Sequence, residues 1–206
     1  WISARVEEGL PCVTFNSDLP ESGRACFVGQ DIRQAGRVAA GLLCKCVSGR
    51  GPVLATAGNL KFDGHRQRLD GFRERLAELG FPAERVLIRE TYNDYETTLR
   101  VVSETLAEEP GLRGVYMANF SVSGCCAAIQ RAGRAGQVHV VCHDINETVR
   151  QLIHSGAVDF TIPQDLERQG YAPLLLLRDW LRKKKPPEPS QLQGRIDILC
   201  AENLEN

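Results

Sequence analysis

The sequence predicts an α/β fold built from parallel sheets with helices on both faces. Three observations carry this. Strand-like and helix-like stretches alternate along almost the whole chain. Several strands read as short continuous apolar runs, as strands covered on both faces do. Those strands stop at a hydrogen-bonding side chain, and in open α/β sheets that edge is where ligands bind. Residues 138–165 combine all three features. Val138, Val140 and Val141 make a β-branched run that ends at Asp144. A helical pattern follows, with Val149, Leu152 and Ile153 on one face and Gly156 as its stop. A second apolar strand over 157–162 breaks at Pro163 and delivers Gln164.

Taken in order, residues 11–16 form a short strand that reaches a Pro-, Ser- and Gly-containing loop. Residues 25–29 form the next strand. Asp31 follows it, placed to cap a helix that runs to about Val47 and stops at Gly49 and Gly51. Ala35, Gly36, Ala39, Ala40 and Gly41 line that helix, so something packs close against its first turns. A strand over 52–57 leads to an amphipathic helix over 63–79, with Leu69, Phe72, Leu76 and Leu79 as its apolar stripe. A strand at 86–88 precedes the polar, aromatic loop Tyr92-Asn93-Asp94-Tyr95 and a helix over 96–107. The strand 114–118 ends on Asn119, and a helix over 122–132 follows. Beyond the 138–165 stretch come a long helix over 166–183, a Pro-rich linker over 184–189 and a last strand over 195–200. The run Arg182-Lys183-Lys184-Lys185 suits a helix C-terminus, where cations complement the macrodipole.

At 206 residues the chain can bury a full core or divide into two small lobes. Its net charge of −1 is too low for it to grip nucleic acid electrostatically. No apolar run approaches a membrane span, so no membrane partner is expected. The eight cysteines include Cys44-Lys45-Cys46 and the adjacent Cys125-Cys126 but no C-x-x-C. They read as reduced thiols of a cytoplasmic protein. The four histidines (His65, His139, His143 and His154) have no ligand-like spacing, and no metal site or cofactor is expected. Phosphate-cradling loops, nucleophile elbows and H-E-x-x-H pairs are absent, so neither catalytic residues nor enzyme activity is expected.

What recurs instead is a polar residue at a strand end: Asp31, Asn119, Asp144 and Gln164. Arg68 lies early in a helix at the edge of its apolar stripe, with Arg66 on the opposite side. Carboxylates, amides and guanidinium groups pair with adjacent hydroxyls, so these positions suit a polyhydroxylated ligand.

Read together, the motifs resemble the effector-binding core of the lactose-repressor/galactose-repressor (LacI/GalR) family. The resemblance rests on Gly9-Leu10-Pro11-Cys12-Val13, on Val28-Gly29-Gln30-Asp31 followed by Ala35-Gly36-Arg37-Val38-Ala39, and on Arg68-Leu69-Asp70-Gly71-Phe72. Gly114 to Asn119, Asp144, Thr161-Ile162-Pro163-Gln164-Asp165 and Cys200-Ala201-Glu202-Asn203-Leu204 complete it. Type I periplasmic sugar-binding proteins share the same module. The resemblance implies a two-lobed, periplasmic-binding-protein-like type I fold whose first N-terminal-lobe strands are missing from this chain. One lobe would hold residues 1–58 and 164–185, and the other residues 59–163 and 188–206. It implies a sugar-sized effector held by Asp31, Arg68, Asn119, Asp144 and Gln164, with an aromatic ring, Tyr95, stacked on it.

Ile32 and Phe120 stand where the family pattern carries Asn and Asp, so the identity of the sugar does not transfer. The reading that follows is the sensing core of a cytoplasmic transcriptional repressor. It would act as a homodimer that meets DNA through a helix-turn-helix headpiece outside this chain. The alternative is a periplasmic sugar-binding protein of a transporter. A doubly wound sugar or nucleotide enzyme is a third reading, against which the missing phosphate loop and nucleophile count.

Overall fold

The computed structural model of the chain describes residues 1–47, 51–188 and 192–204. Gly49 and Pro189, named above as a helix stop and a linker residue, lie outside these. The first elements are helix α1 (Ile2–Glu7), strand β1 (Val13–Phe15), strand β2 (Cys26–Gln30) and helix α2 (Ile32–Cys46). Strand β3 (Val53–Ala57), helix α3 (Asp63–Glu78), strand β4 (Val86–Glu90) and helix α4 (Tyr95–Glu108) follow. Next are β5 (Gly114–Met117), α5 (Val122–Arg131), β6 (His139–His143), α6 (Glu147–His154) and β7 (Phe160–Ile162). Helix α7 (Leu166–Lys183) and strand β8 (Leu192–Gly194) complete the series. The strands form two sheets, β1-β2-β8 and β4-β3-β5-β6-β7, and every pairing within them is parallel.

The chain divides into two units: Trp1–Asp31 with Gln164–Ile196, and Ile32–Pro163 with Asp197–Asn206. In the first unit, β2 is buried at all five positions and α7 packs on β1 and β2. The Asp165 side chain caps α7 by accepting the Arg168 N–H. Tyr171, Leu174 and Leu181 remain half-exposed or more on that helix.

The second unit has a three-layer build. Leu54, Val115, Met117, Val140 and Cys142 project from one sheet face onto α4, α5 and α6, forming an apolar core with Val102, Cys125, Ile129 and Ile153. Side chains alternate across a strand, so Tyr116, Val141 and His143 point to the opposite face, toward α2 and α3. Two caps set helix starts on the first side: Asp94 accepts the Thr97 N–H at 2.7 Å, and Asn146 accepts the Val149 N–H at 2.9 Å.

Two expectations differ from the structure. The lobe boundary expected at residue 58 falls after Asp31, because β3 is hydrogen-bonded on both sides inside the five-stranded sheet and α2 packs against β5, β6 and α3. The last strand lies at Leu192–Gly194, paired with β2, instead of at 195–200. Only Leu199 of the expected stretch makes a bridge, to Thr161. Finally, α1 has no counterpart in the reading of the sequence.

The small-residue stripe of α2 has a specific use. A Cβ on Gly36 would lie 2.0 Å from the Arg68 carbonyl oxygen, and one on Gly71 would lie 2.0 Å from the Arg33 carbonyl oxygen. Each helix therefore seats a backbone carbonyl on a glycine of the other. On the solvent side of the crossing, Arg33 pairs with Glu74, and Arg37 donates to Glu78 at 2.7 Å. These exposed pairs orient the helices more than they stabilise them.

Gly36→Ala is expected to destabilise the protein by about 1–3 kcal/mol, the range for overpacking. Gly41→Ala, in the same helix but with open space around the new methyl, is expected to stabilise it by up to about 1 kcal/mol, the helix-propensity difference. Denaturant unfolding of the two variants checks the pair, and equal effects would contradict the close crossing.

Candidate ligand site

The strand order β4-β3-β5 reverses the direction of winding between β3 and β5, so the crevice outside their carboxyl ends is the default ligand position. Asn119, two residues beyond β5, stands there and is buried. Its Oδ1 accepts the Thr56 hydroxyl at 2.8 Å. Its Nδ2 donates to Thr91 Oγ1 at 2.9 Å, Asn93 Oδ1 at 3.0 Å and the Phe120 carbonyl at 3.1 Å. Two N–H hydrogens thus serve three acceptors, and the amide is committed inside the protein. Through these bonds Asn119 ties β3, the loop after β4 and the turn after β5 into one ledge.

That ledge carries backbone in the left-handed region. Tyr92 and Asn93 have φ of 53° and 58°, and the Tyr92 N–H donates to the Gly58 carbonyl at 2.8 Å. A Cβ at Gly58 would come within 2.7 Å of Asn93 Oδ1, so a side chain there would displace the Asn93 amide from the ledge. Tyr95, expected in this loop, is instead the first residue of α4 and is 39% exposed. Tyr92 and Phe120, on either side of the Asn93 amide, are more open at 61% and 59%.

Arg68 comes to the same edge from α3. It is buried, its Nη1 donates to the Ala118 carbonyl at 3.0 Å, and its Nε has no partner among the described residues. Arg66, two residues away, is half-exposed and pairs with Asp63, so only Arg68 serves the edge. Asp144 follows β6 with φ of 64°. Its N–H donates to the Ile162 carbonyl at 3.1 Å and its own carbonyl accepts the Thr161 hydroxyl. A non-glycine residue held in this conformation by its neighbours is the kind of strained position that gathers at functional sites.

Beneath these lies a polar pair that the sequence pattern missed. The Tyr116 hydroxyl is 2.6 Å from His143 Nε2, and the Tyr116 ring stacks on Phe72 with centroids 4.5 Å apart. Both side chains are buried. Burial, with the nearby Arg68 charge, holds His143 well below its ordinary pKa. Burial raises the Tyr116 pKa, and the Arg68 charge offsets only part of that. The pair is therefore neutral, and His143 Nδ1 has no partner among the described residues. The signal available in the sequence was strand periodicity: Tyr116 pairs with Val141 in the β5–β6 register, which puts His143 on the same face.

The second unit thus brings Arg68, Asn119 and Asp144 to one edge of its sheet, with Tyr95 beginning the neighbouring helix. Asp31 and Gln164 are half-buried residues of the first unit, one closing its first segment and the other opening its second.

A doubly wound parallel sheet with convergent polar groups at its switch point defines a small-molecule binding module. Residues 1–185 match the periplasmic binding protein domain model, and the chain belongs to that family. It is 29% identical over 145 residues to the D-ribose/D-allose-binding protein of Pseudomonas aeruginosa, covering 70% of this chain and 45% of that protein. The chain therefore spans less than half the length of that curated relative. Among solved structures, a sugar-binding protein of a sugar ABC transporter from Bacillus halodurans is 25% identical, with a TM-score of 0.83 over 98% of this chain and 73% of the other. An ABC transporter solute-binding protein from Burkholderia graminis, in complex with D-arabinose, has a TM-score of 0.88 at 20% identity, over 98% of this chain and 71% of the other. These relatives are sugar-binding proteins, not enzymes.

A pH dependence follows from His143. Below about pH 6.5, the ordinary value for histidine, the unfolded chain binds a proton at this position that the folded chain does not. Stability then falls as pH drops from about 7 to 5, by up to about 1.4 kcal/mol per pH unit for this group. His65, lowered mainly by burial, adds a smaller effect of the same sign. Urea unfolding across this range should show the slope, and His143→Gln should remove most of it.

Proposed function

We propose that the chain is the sugar-binding domain of a solute receptor for a transporter, with a monosaccharide as ligand. The observation that carries the proposal is the state of Arg68. Its guanidinium is anchored through Nη1 on the Ala118 carbonyl, while its Nε is buried with no protein partner among the described residues. A buried donor in that state is costly unless a ligand satisfies it, and a planar guanidinium matches a pair of adjacent hydroxyls. In this reading Asp144 accepts hydroxyl hydrogen bonds. Tyr92 or Phe120, more open than Tyr95, offers a ring face to the apolar side of the sugar. Asp31 and Gln164 remain in the proposed ligand set. The relatives that bind D-ribose, D-allose and D-arabinose make aldoses of five and six carbons the first panel to test.

The comparisons favour this reading over the regulator suggested by the sequence motifs, since they match a periplasmic binding protein domain, a sugar-binding protein and sugar- and solute-binding proteins of ABC transporters. One observation speaks for the regulator: all eight cysteines are free, as in a protein of a reducing compartment. The homodimer, the DNA headpiece and the cytoplasmic location belong to that second reading.

Titration calorimetry with the aldose panel is expected to find a binder, and Arg68→Ala to weaken it at least tenfold. Unchanged affinity in the variant would remove Arg68 from the site. Asp31→Asn and Gln164→Ala read the contribution of those residues in the same assay. Sedimentation of the chain with and without the bound sugar separates the two readings: a monomer in both states fits a receptor, and a sugar-linked dimer fits a regulator.

A further inference from the structure

At the opposite end of the second unit's strands, three side chains with metal-binding donors converge. Cys46 ends α2, His139 begins β6, and Asp159 immediately precedes β7. Strands β6 and β7 are paired neighbours, and α2 packs on β6. One donor atom from each of the three residues lies within 4.8 Å of the other two. The Asp159 carboxylate is oriented by the main chain: its Oδ2 accepts the Val140 N–H at 2.7 Å, while its Oδ1 lies 2.9 Å from His139 Nδ1. The His139 and Asp159 side chains are 34% and 28% exposed, open enough for an ion to enter.

We propose that Cys46, His139 and Asp159 form a binding site for a divalent cation of the zinc type. Sulfur, imidazole nitrogen and carboxylate oxygen are the donors that zinc takes, and three protein ligands leave a fourth position for water. Donors about 2.0–2.3 Å from one tetrahedral ion stand roughly 3.3–3.6 Å apart, so the observed spacing needs side-chain adjustments of an ångström or so. The Val140 N–H on Asp159 is the outer-shell support that metal carboxylates use.

The same three residue types also make up a nucleophilic triad. Burial, together with the Asp159 charge, raises the Cys46 pKa, which is the reverse of what an activated nucleophile requires. The five-residue strand β6 separates this cluster from His143 and the ligand edge by about 13 Å. The metal proposal is therefore independent of the sugar reading.

Cobalt(II) titration of the reduced, metal-free chain tests it. The expected result is a thiolate-to-cobalt charge-transfer band with the visible bands of a tetrahedral ion, both displaced by zinc(II). Cys46→Ser should abolish the charge-transfer band. His139→Ala and Asp159→Asn should each weaken cobalt binding at least tenfold, with the circular dichroism of all three variants unchanged. Aldose affinity serves as a separate readout and should not move. Absence of the bands, their persistence in Cys46→Ser, or unchanged cobalt affinity in His139→Ala would overturn the site and leave His139–Asp159 as a hydrogen-bonded pair only.

Discussion

The second unit depends on the crossing of α2 and α3. Gly36 receives the Arg68 carbonyl and Gly71 receives the Arg33 carbonyl, each at a separation that no side chain would allow. Because the contact is backbone on backbone, it fixes the helices along their axes as well as in distance. Arg68 is thereby located twice, through its own carbonyl on Gly36 and through its guanidinium on the Ala118 carbonyl. One turn further along α3, Phe72 stacks on Tyr116 and roofs the polar pair beneath. A small-residue stripe in α2 is thus tied, through packing, to the donor that the ligand edge offers.

The two faces of the five-stranded sheet divide the work. The face under α4, α5 and α6 is an apolar core with buried thiols, where burial raises the pKa values of Cys125, Cys126 and Cys142. Such thiols behave as small hydrophobic groups. The face under α2 and α3 carries Tyr116 and His143, hydrogen-bonded to each other, and Arg68, bonded to the Ala118 carbonyl; Arg68 Nε and His143 Nδ1 have no partner among the described residues. This second face keeps polar capacity next to the ligand edge, and burial keeps His143 and Tyr116 uncharged.

Much of this organisation was legible in the sequence, and the parts that were not have identifiable causes. Apolar runs ending on Asn119 and Asp144, and the small residues of α2, located the edge and the close packing. Alternation shows that α2 follows β2 but not which sheet it covers, and its packing on β5 and β6 moved the unit boundary from 58 to Asp31. Asn119 was legible as a polar residue at a strand end. Its partners Thr56, Thr91 and Asn93 come from other segments, so its internal commitment was not. The same holds for Tyr116 with His143, and for Cys46 with His139 and Asp159. The motifs that resemble a regulator belong to a module shared with sugar-binding proteins, so they define the module and leave its use open.

A sugar at the ligand edge would complete the hydrogen bonding of Arg68, whose Nε has no partner among the described residues. The most direct measurement is the arginine Nε–H resonance of Arg68 in a nitrogen–proton correlation spectrum, assigned by loss of the signal in Arg68→Lys and followed through an aldose titration. The account predicts a shift that saturates with the affinity found by calorimetry. A resonance that stays in place while calorimetry reports binding would contradict it and put the ligand elsewhere.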